Sequence, residues 1–248
     1  MSNPLEQFIV KPIIPIEING IDFSFTQSAL WMCIGVACTF LLMSVTMRKK
    51  ANVPGRWQNL GEVFYEFIAS MVKDSLGDEG RKYFPLVFSI FMIVLMGNLL
   101  GLIPYSFTYT SHIIVTGALA LFIFILATII GFARHGFHFF SLFLPEGTPV
   151  LLAPLMIVIE VISYLSRPIS LSLRLFINMV AGHTLLKVLL GFTGALTAAF
   201  GIWGTTLGLL PVLISSALIG LEVMICFIQA YIFAMLTCVY LRDSIHLH

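Results

Sequence analysis

The sequence predicts an all-α integral membrane protein: three roughly perpendicular transmembrane helices, one interfacial amphipathic helix, and a C-terminal hairpin of two long tilted helices. The 248 residues are 59% hydrophobic and 10% charged, with a mean hydropathy of +1.02. Because soluble domains carry about 25% charged residues, this composition indicates a lipid environment. Long uncharged segments also match the ~20 residues that cross a hydrocarbon core.

Three segments in the first half are suited to cross the bilayer as single helices. They cover residues 29–47, 83–104 and 113–133, and the second is broken only by Asn98. Residues 58–76 instead carry apolar side chains at helical spacing, which predicts an amphipathic helix. These side chains are Leu60, Val63, Phe64, Phe67, Ile68 and Met71. The pattern fits a helix on the membrane surface and a helix packed on a partner equally well.

Basic residues predict the orientation of these segments. Residues 48–82 hold seven Lys and Arg, and the loop 134–149 opens with Arg134. Residues 105–112 have none, and the N-terminal segment has only Lys11. The positive-inside rule therefore places the two basic loops inside and the N-terminus outside.

Several common functional signals are absent from the sequence. The net charge of +1 gives no reason to expect nucleic-acid binding. The four cysteines form no CxxC pair and lie in apolar runs, so we expect inert thiols. No basic segment followed by an apolar core opens the chain, so we expect no cleaved signal peptide. A GxxxxGK[ST] loop is also missing, so nucleotide chemistry should lie on other chains.

The C-terminal half holds two longer apolar segments, residues 150–192 and 205–241. The second segment would extend roughly 55 Å as a helix, whereas the hydrocarbon core measures about 30 Å. It must tilt strongly unless Pro211 ends the helix early. A turn between the segments is indicated by Gly191, Gly194, Gly201 and Gly204. These features predict a helical hairpin.

Ionisable residues inside these segments need a reason, since each one at the bilayer centre costs about 2.5–3.5 kcal/mol. The first segment carries Glu160, Arg167, Arg174, His183 and Lys187, and the second carries Glu222. We interpret Glu160, Arg174, His183 and Glu222 as functional. Lys187 lies near a helix end, where its long side chain can reach the headgroups.

The residue numbers predict which of these groups lie at one depth. In an antiparallel hairpin, opposed residues have a nearly constant sum of residue numbers, here with the turn near residue 202. The constant sum predicts three pairs: Glu160 with Asp243 near the inner side, Arg174 with Gln229 mid-membrane, and His183 with Glu222 toward the outer side. The sequence therefore predicts a ladder of titratable groups interrupted by one permanent cation.

The side-chain directions on the first long helix are less regular. At about 100° per residue, Glu160, Arg174 and Asn178 share one face, whereas His183 lies about 180° from Arg174. Either the helix deforms near residues 181–182, or His183 works in a cavity separate from Arg174. We favour the separate cavity.

The chemistry of the four groups differs. His183 can relay protons near neutral pH, and Glu160 and Glu222 can do so if burial favours their neutral forms. Arg174 cannot deprotonate, but it can hold a passing carboxylate ionised and block a direct proton wire. Because the opposing Gln229 is neutral, the counter-charge should come from another subunit.

Five short motifs resemble those of subunit a of the rotary ATP synthases, over about residues 25–242. The most specific is SLRLFINMVAGH at Ser172–His183, and NLLGLIPY at Asn98–Tyr105 is a second. Further similarities are Gln229-Ala230 with Leu236-Thr237 and Tyr240-Leu241, Arg56-Trp57-Gln58-Asn59 with Glu62, and the run Ile159–Tyr164.

The resemblance implies that Arg174 faces a rotating ring of c subunits, and we group Gln229 and Asn178 with it. It implies two offset half-channels, with His183 and Glu222 in the outer one and Glu160 in the inner one, where Asp243 is a further candidate. A histidine at 183 with an acid at 222 is typical of mitochondrial and alphaproteobacterial members. The implied partners are the c ring, b-type peripheral-stalk subunits and the rest of the complex. The transported ion is H⁺, and no cofactor or metal is implied.

Two other function classes fit the sequence less well. A self-contained proton-coupled secondary transporter predicts paired internal repeats, and none is visible. A purely structural membrane anchor gives no reason for an unpaired arginine in mid-membrane. The expected location is an energy-transducing membrane, either bacterial plasma or mitochondrial inner, which the sequence does not distinguish.

Overall fold

A computed structural model of the chain describes residues 9–10, 12–18, 21–22, 24–47, 54–103, 106–143 and 152–245. Some sequence predictions therefore fall outside the described residues. These are the basic residues Lys11 and 48–50, the motif residues Pro104 and Tyr105, the loop residues 144–149, and the first two residues of the predicted helix 150–192.

Four short strands precede the first helix: β1 at Pro12–Ile14, β2 at Glu17–Ile18, β3 at Ile21–Asp22 and β4 at Phe25–Thr26. β1 pairs with β4 and β2 with β3, both antiparallel. These strands were not predicted from the sequence. The one signal available was Asn19-Gly20 in the sequence between β2 and β3, since Asn-Gly is typical of two-residue hairpin turns.

The helices confirm the predicted fold class. Five helices in the described part of the chain are long and apolar enough to cross a membrane. Three are single spans: α1 at Gln27–Thr46, α3 at Phe84–Gly101 and α4 at Ile113–His135. Thr26 caps the start of α1, where its Oγ1 accepts a 3.3 Å hydrogen bond from the backbone N–H of Ala29.

The amphipathic helix α2 spans Arg56–Leu76, and a 3₁₀ helix follows at Gly77–Lys82. The buried side chains of α2 are Ile68, Val72 and Leu76, all in its C-terminal half. In the N-terminal half of the predicted apolar stripe, Leu60 and Val63 are exposed. That exposed half still fits either a membrane surface or a partner.

The two longest helices form the C-terminal hairpin. α5 spans Ala153–Phe200 and α6 spans Ile202–Ile245, with Pro168 and Pro211 inside them. Pro211 therefore does not end the helix, and at 1.5 Å per residue both helices are roughly twice as long as the bilayer core is thick.

Only one of the four glycines that predicted the hairpin turn lies between α5 and α6. Gly201 has φ +54°, a left-handed conformation that glycine adopts at little cost. Gly204 instead lets the helices approach closely, because a Cβ there would lie 2.8 Å from the Cα of Thr197.

The chain forms two compact units, each built from separate stretches of sequence. The first comprises Met1–Phe40, Ile93–His112 and Leu175–Gln229, and so contains the turn end of the hairpin. The second comprises Leu41–Met92, Ile113–Arg174 and Ala230–His248, and contains α2, α4 and the open end of the hairpin.

Candidate functional site

A cavity of about 190 Å³ in the first unit brings several of the predicted site residues together. Asn178, Gly182 and His183 of α5 line it with Glu222 of α6. Leu102, just after α3, lines it as well, together with apolar side chains of both long helices. The cavity is large enough to hold several water molecules, each of which takes about 30 Å³ in the liquid.

Glu222 is the acid of this cavity. Glu222 is only 6% exposed, and its Oε2 has no hydrogen-bond partner within the described part of the chain. A buried carboxyl group without a hydrogen-bond partner is costly to ionise.

Glycine at position 182 makes room for this carboxyl group. A Cβ added to Gly182 would collide with Glu222 Oε1 and lie 2.9 Å from the carboxyl carbon, Cδ. α5 and α6 therefore meet at this level through one acid packed against one glycine, which lies beside His183 in the sequence.

The resemblance noted above implies ATP-driven proton pumping, and on that expectation Gly182→Ala should slow pumping about tenfold, because the carboxyl group must leave its position in the cavity. Gly191→Ala is the matched control. It changes a glycine of the same helix whose added Cβ would meet nothing within 4 Å, and should leave pumping unchanged. Pumping is measured in inverted vesicles at equal subunit levels. Equal rates in the two variants would show that the Gly182–Glu222 contact has no role.

His183 is half-buried and is held by the segment that connects α3 and α4. Its Nε2 lies 3.1 Å from Oγ1 of Thr108, which also lies 3.2 Å from the carbonyl oxygen of Gly101. Thr108 itself is only 6% exposed. The imidazole is therefore fixed at one nitrogen while the ring lines the cavity.

Arg174 is exposed on α5 and has no hydrogen bond or ion pair with any described residue. It is not among the residues that line the cavity, whereas His183 is. Gln229 is 3% exposed, and its Oε1 has no hydrogen-bond partner among the described residues. The predicted opposition of Arg174 and Gln229 stays a prediction.

The predicted pairing of Glu160 with Asp243 needs correction. Asp243 Oδ2 accepts a 3.0 Å hydrogen bond from Arg167 Nη1, and the two side chains form an ion pair. Arg167 lies seven residues after Glu160 in α5. A constant sum of residue numbers requires straight helices, and Pro168 removes one backbone hydrogen bond of α5 at this point. Glu160 is half-buried and forms no ion pair among the described residues.

Sequence reasoning missed Thr108, Gly182 and the partner of Asp243. Thr108 carries no charge and lies outside any helical pattern, so nothing in the sequence singled it out. Gly182 was noted only as a possible point of helix deformation. Arg167 was noted as a charge inside the apolar segment, which was the one available signal for an ion pair with a carboxylate of the other helix.

Comparison with known proteins gives concordant matches over nearly the whole chain. A sequence profile of the family described as ATP synthase A chain matches residues 29–242. The ATP synthase subunit a of Rhizobium etli is 54% identical over 249 residues, covering 99% of this chain and 98% of its own. The subunits a of Paramagnetospirillum magneticum and Rhodospirillum rubrum are each 50% identical and covered, like this chain, over 100% of their length.

Proposed function

Because the chain belongs to the ATP synthase subunit a family, we propose that it carries protons to and from a rotating c ring through two offset half-channels. The family supports a proton-channel role in an F-type ATP synthase, in complex with its other subunits.

Protons from the outer side enter the cavity lined by His183 and Glu222. The buried carboxyl group of Glu222 and the imidazole of His183 can each bind and release a proton, and both line the same space. From there the proton neutralises a carboxylate on the ring, which can then face lipid as the ring turns. About 2.3 kcal/mol per charge per 100 mV of membrane potential is available to drive each passage.

The observation that carries the proposal is that Arg174 is exposed and pairs with none of the described residues. A guanidinium stays charged in any membrane environment, and such a charge on an apolar helix needs a counter-charge. The described part of this chain supplies none. A carboxylate presented by each ring subunit in turn would supply it, and Arg174 would keep that carboxylate ionised between the two half-channels.

Protons leave toward the inner side past Glu160, which is half-buried and not held in an ion pair by any described residue. Asp243 was a second candidate here, but its carboxylate is bound by Arg167. We therefore assign the exit to Glu160 and give Asp243 the role of holding the end of α6 against α5.

The partners follow from the same proposal. The c ring contacts the exposed face of α5 that carries Arg174, and b-type subunits of the peripheral stalk hold the chain against rotation. Since the relatives reported above come from bacteria, we place the complex in the bacterial inner membrane.

Purification of a tagged form of this chain in mild detergent tests the proposal. The c ring should co-purify, and vesicles containing the membrane sector without the soluble catalytic part should conduct protons passively. Vesicles of the tagged chain alone should not conduct. Conduction by the chain alone would indicate a self-contained transporter and overturn the proposal.

A further inference from the structure

We propose that Thr108 is a positioning residue for His183. The hydroxyl group of Thr108 serves as the hydrogen-bond partner of His183 Nε2 in both protonation states of that nitrogen. The inference rests on the proposed function of His183 in proton transport and adds a residue from the α3–α4 connection to it. It assigns to Thr108 an effect on transport through His183, without contact between Thr108 and the transported proton.

The geometry gives the Thr108 hydroxyl two places for its single hydrogen. The carbonyl oxygen of Gly101 lies 3.2 Å from Oγ1 on one side, and His183 Nε2 lies 3.1 Å from it on the other. A carbonyl oxygen only accepts, whereas an imidazole nitrogen accepts when bare and donates when protonated.

These two positions match the two states of the ring nitrogen. When Nε2 is bare, Thr108 turns its hydrogen toward His183 and donates to it. When Nε2 carries a proton, Thr108 turns its hydrogen toward Gly101 and accepts from the imidazole. Nε2 therefore keeps a hydrogen bond as the imidazole gains or loses a proton, and the penalty of an unpaired buried polar group is avoided in both states.

The backbone around Thr108 is held firmly enough for this role. The ring of the neighbouring Tyr109 packs so closely on α3 that a Cβ added to Gly97 would lie 2.6 Å from Cζ of that ring. The Tyr109 hydroxyl donates a 3.3 Å hydrogen bond to the carbonyl of Ile93. Burial raises the pKa of Tyr109 to about 12, so this donor stays protonated at physiological pH.

The Gly101 carbonyl has a second donor. Oγ of Ser106 donates to it at 3.0 Å, so removing the Thr108 hydroxyl does not leave this carbonyl unpaired. The main consequence of Thr108→Val should fall on His183, since valine keeps the β-branched shape of threonine and replaces the hydroxyl group with a methyl group.

The test compares three variants in ATP-driven proton pumping by inverted vesicles, at matched levels of subunit and co-purified c ring. We expect Thr108→Val to slow pumping about fivefold to tenfold, and Thr108→Ser, which keeps the hydroxyl, to stay within about twofold of the unmodified protein. Thr110→Val is the matched control, because Thr110 is also buried but its hydroxyl has no partner among the described residues. It should stay within about twofold.

The inference is overturned if Thr108→Val pumps normally, if Thr108→Ser is as slow as Thr108→Val, or if Thr110→Val is equally slow. Should Thr108→Val fail to accumulate, Thr108→Ala takes its place, and the serine variant must still pump faster. His183→Ala is included to separate the two levels of the account. Normal pumping by His183→Ala would remove the proposed outer path itself, whereas slow pumping by His183→Ala beside normal pumping by Thr108→Val would remove only the role of Thr108.

Discussion

Replacing Arg174 with alanine is expected to reduce ATP-driven proton pumping by at least about a hundredfold while the protein still inserts and assembles. The side chain is exposed and binds no described residue, so its loss should disturb the fold little. In the proposed mechanism, no permanent cation then keeps the ring carboxylate ionised between the half-channels, and rotation is no longer coupled to proton transfer. Pumping in inverted vesicles and ATP synthesis in energised vesicles both measure this.

Two further variants separate charge from geometry. Arg174→Lys should recover only part of the activity, because an ammonium group can lose its proton when desolvated and lacks the planar fork of a guanidinium. Lys73→Ala removes an exposed cation of α2 instead and should pump within about twofold of normal. Normal pumping by Arg174→Ala, at normal protein levels, would contradict the role assigned to Arg174.

Exchanging the acid and the base of the cavity is expected to restore transport that either single change removes. Glu222→Gln or His183→Ala should each slow pumping about tenfold or more, because the pair shares one space and the remaining member loses its proton-exchange partner. The double variant His183→Glu with Glu222→His again places one acid and one base in that space, and should pump faster than either half of the exchange alone.

Coupling is what this experiment measures. If the effects of His183→Glu and Glu222→His simply added in the double variant, the two residues would act independently. The outer half-channel would then have to pass through other groups of the first unit. Immunoblots of subunit a and of the c ring control for variants that fail to accumulate.

The helices and their order could be predicted because a bilayer imposes length and apolar composition on every span. The meeting of His183 and Glu222 could be predicted because both lie about twenty residues from Gly201, where the register of the hairpin is set. The pairing of Asp243 with Arg167 could not be predicted, because Asp243 lies some forty residues from the turn. Its partner Arg167 also lies, as counted from the turn, just past Pro168, which removes a backbone hydrogen bond of α5.

Other parts of the site leave no trace in the sequence. Thr108 meets His183 across 75 positions, and a single threonine outside a helix has neither periodicity nor charge to mark it. The short N-terminal strands contain two or three residues each, too few for the alternation that identifies a strand. Such contacts depend on how the helices pack, which sequence spacing alone does not determine.

The most direct test of the central claim is disulfide crosslinking of α5 to the c ring. In a chain with its four native cysteines replaced, Ser170→Cys should bridge to a cysteine beside the ring carboxylate, since Ser170 is exposed and lies about 40° from Arg174 around α5. Leu165→Cys, exposed but about 180° from Arg174, should not bridge to it. Efficient bridging at position 165 with none at 170, in an assembled complex, would contradict the claim that the Arg174 face of α5 meets the ring.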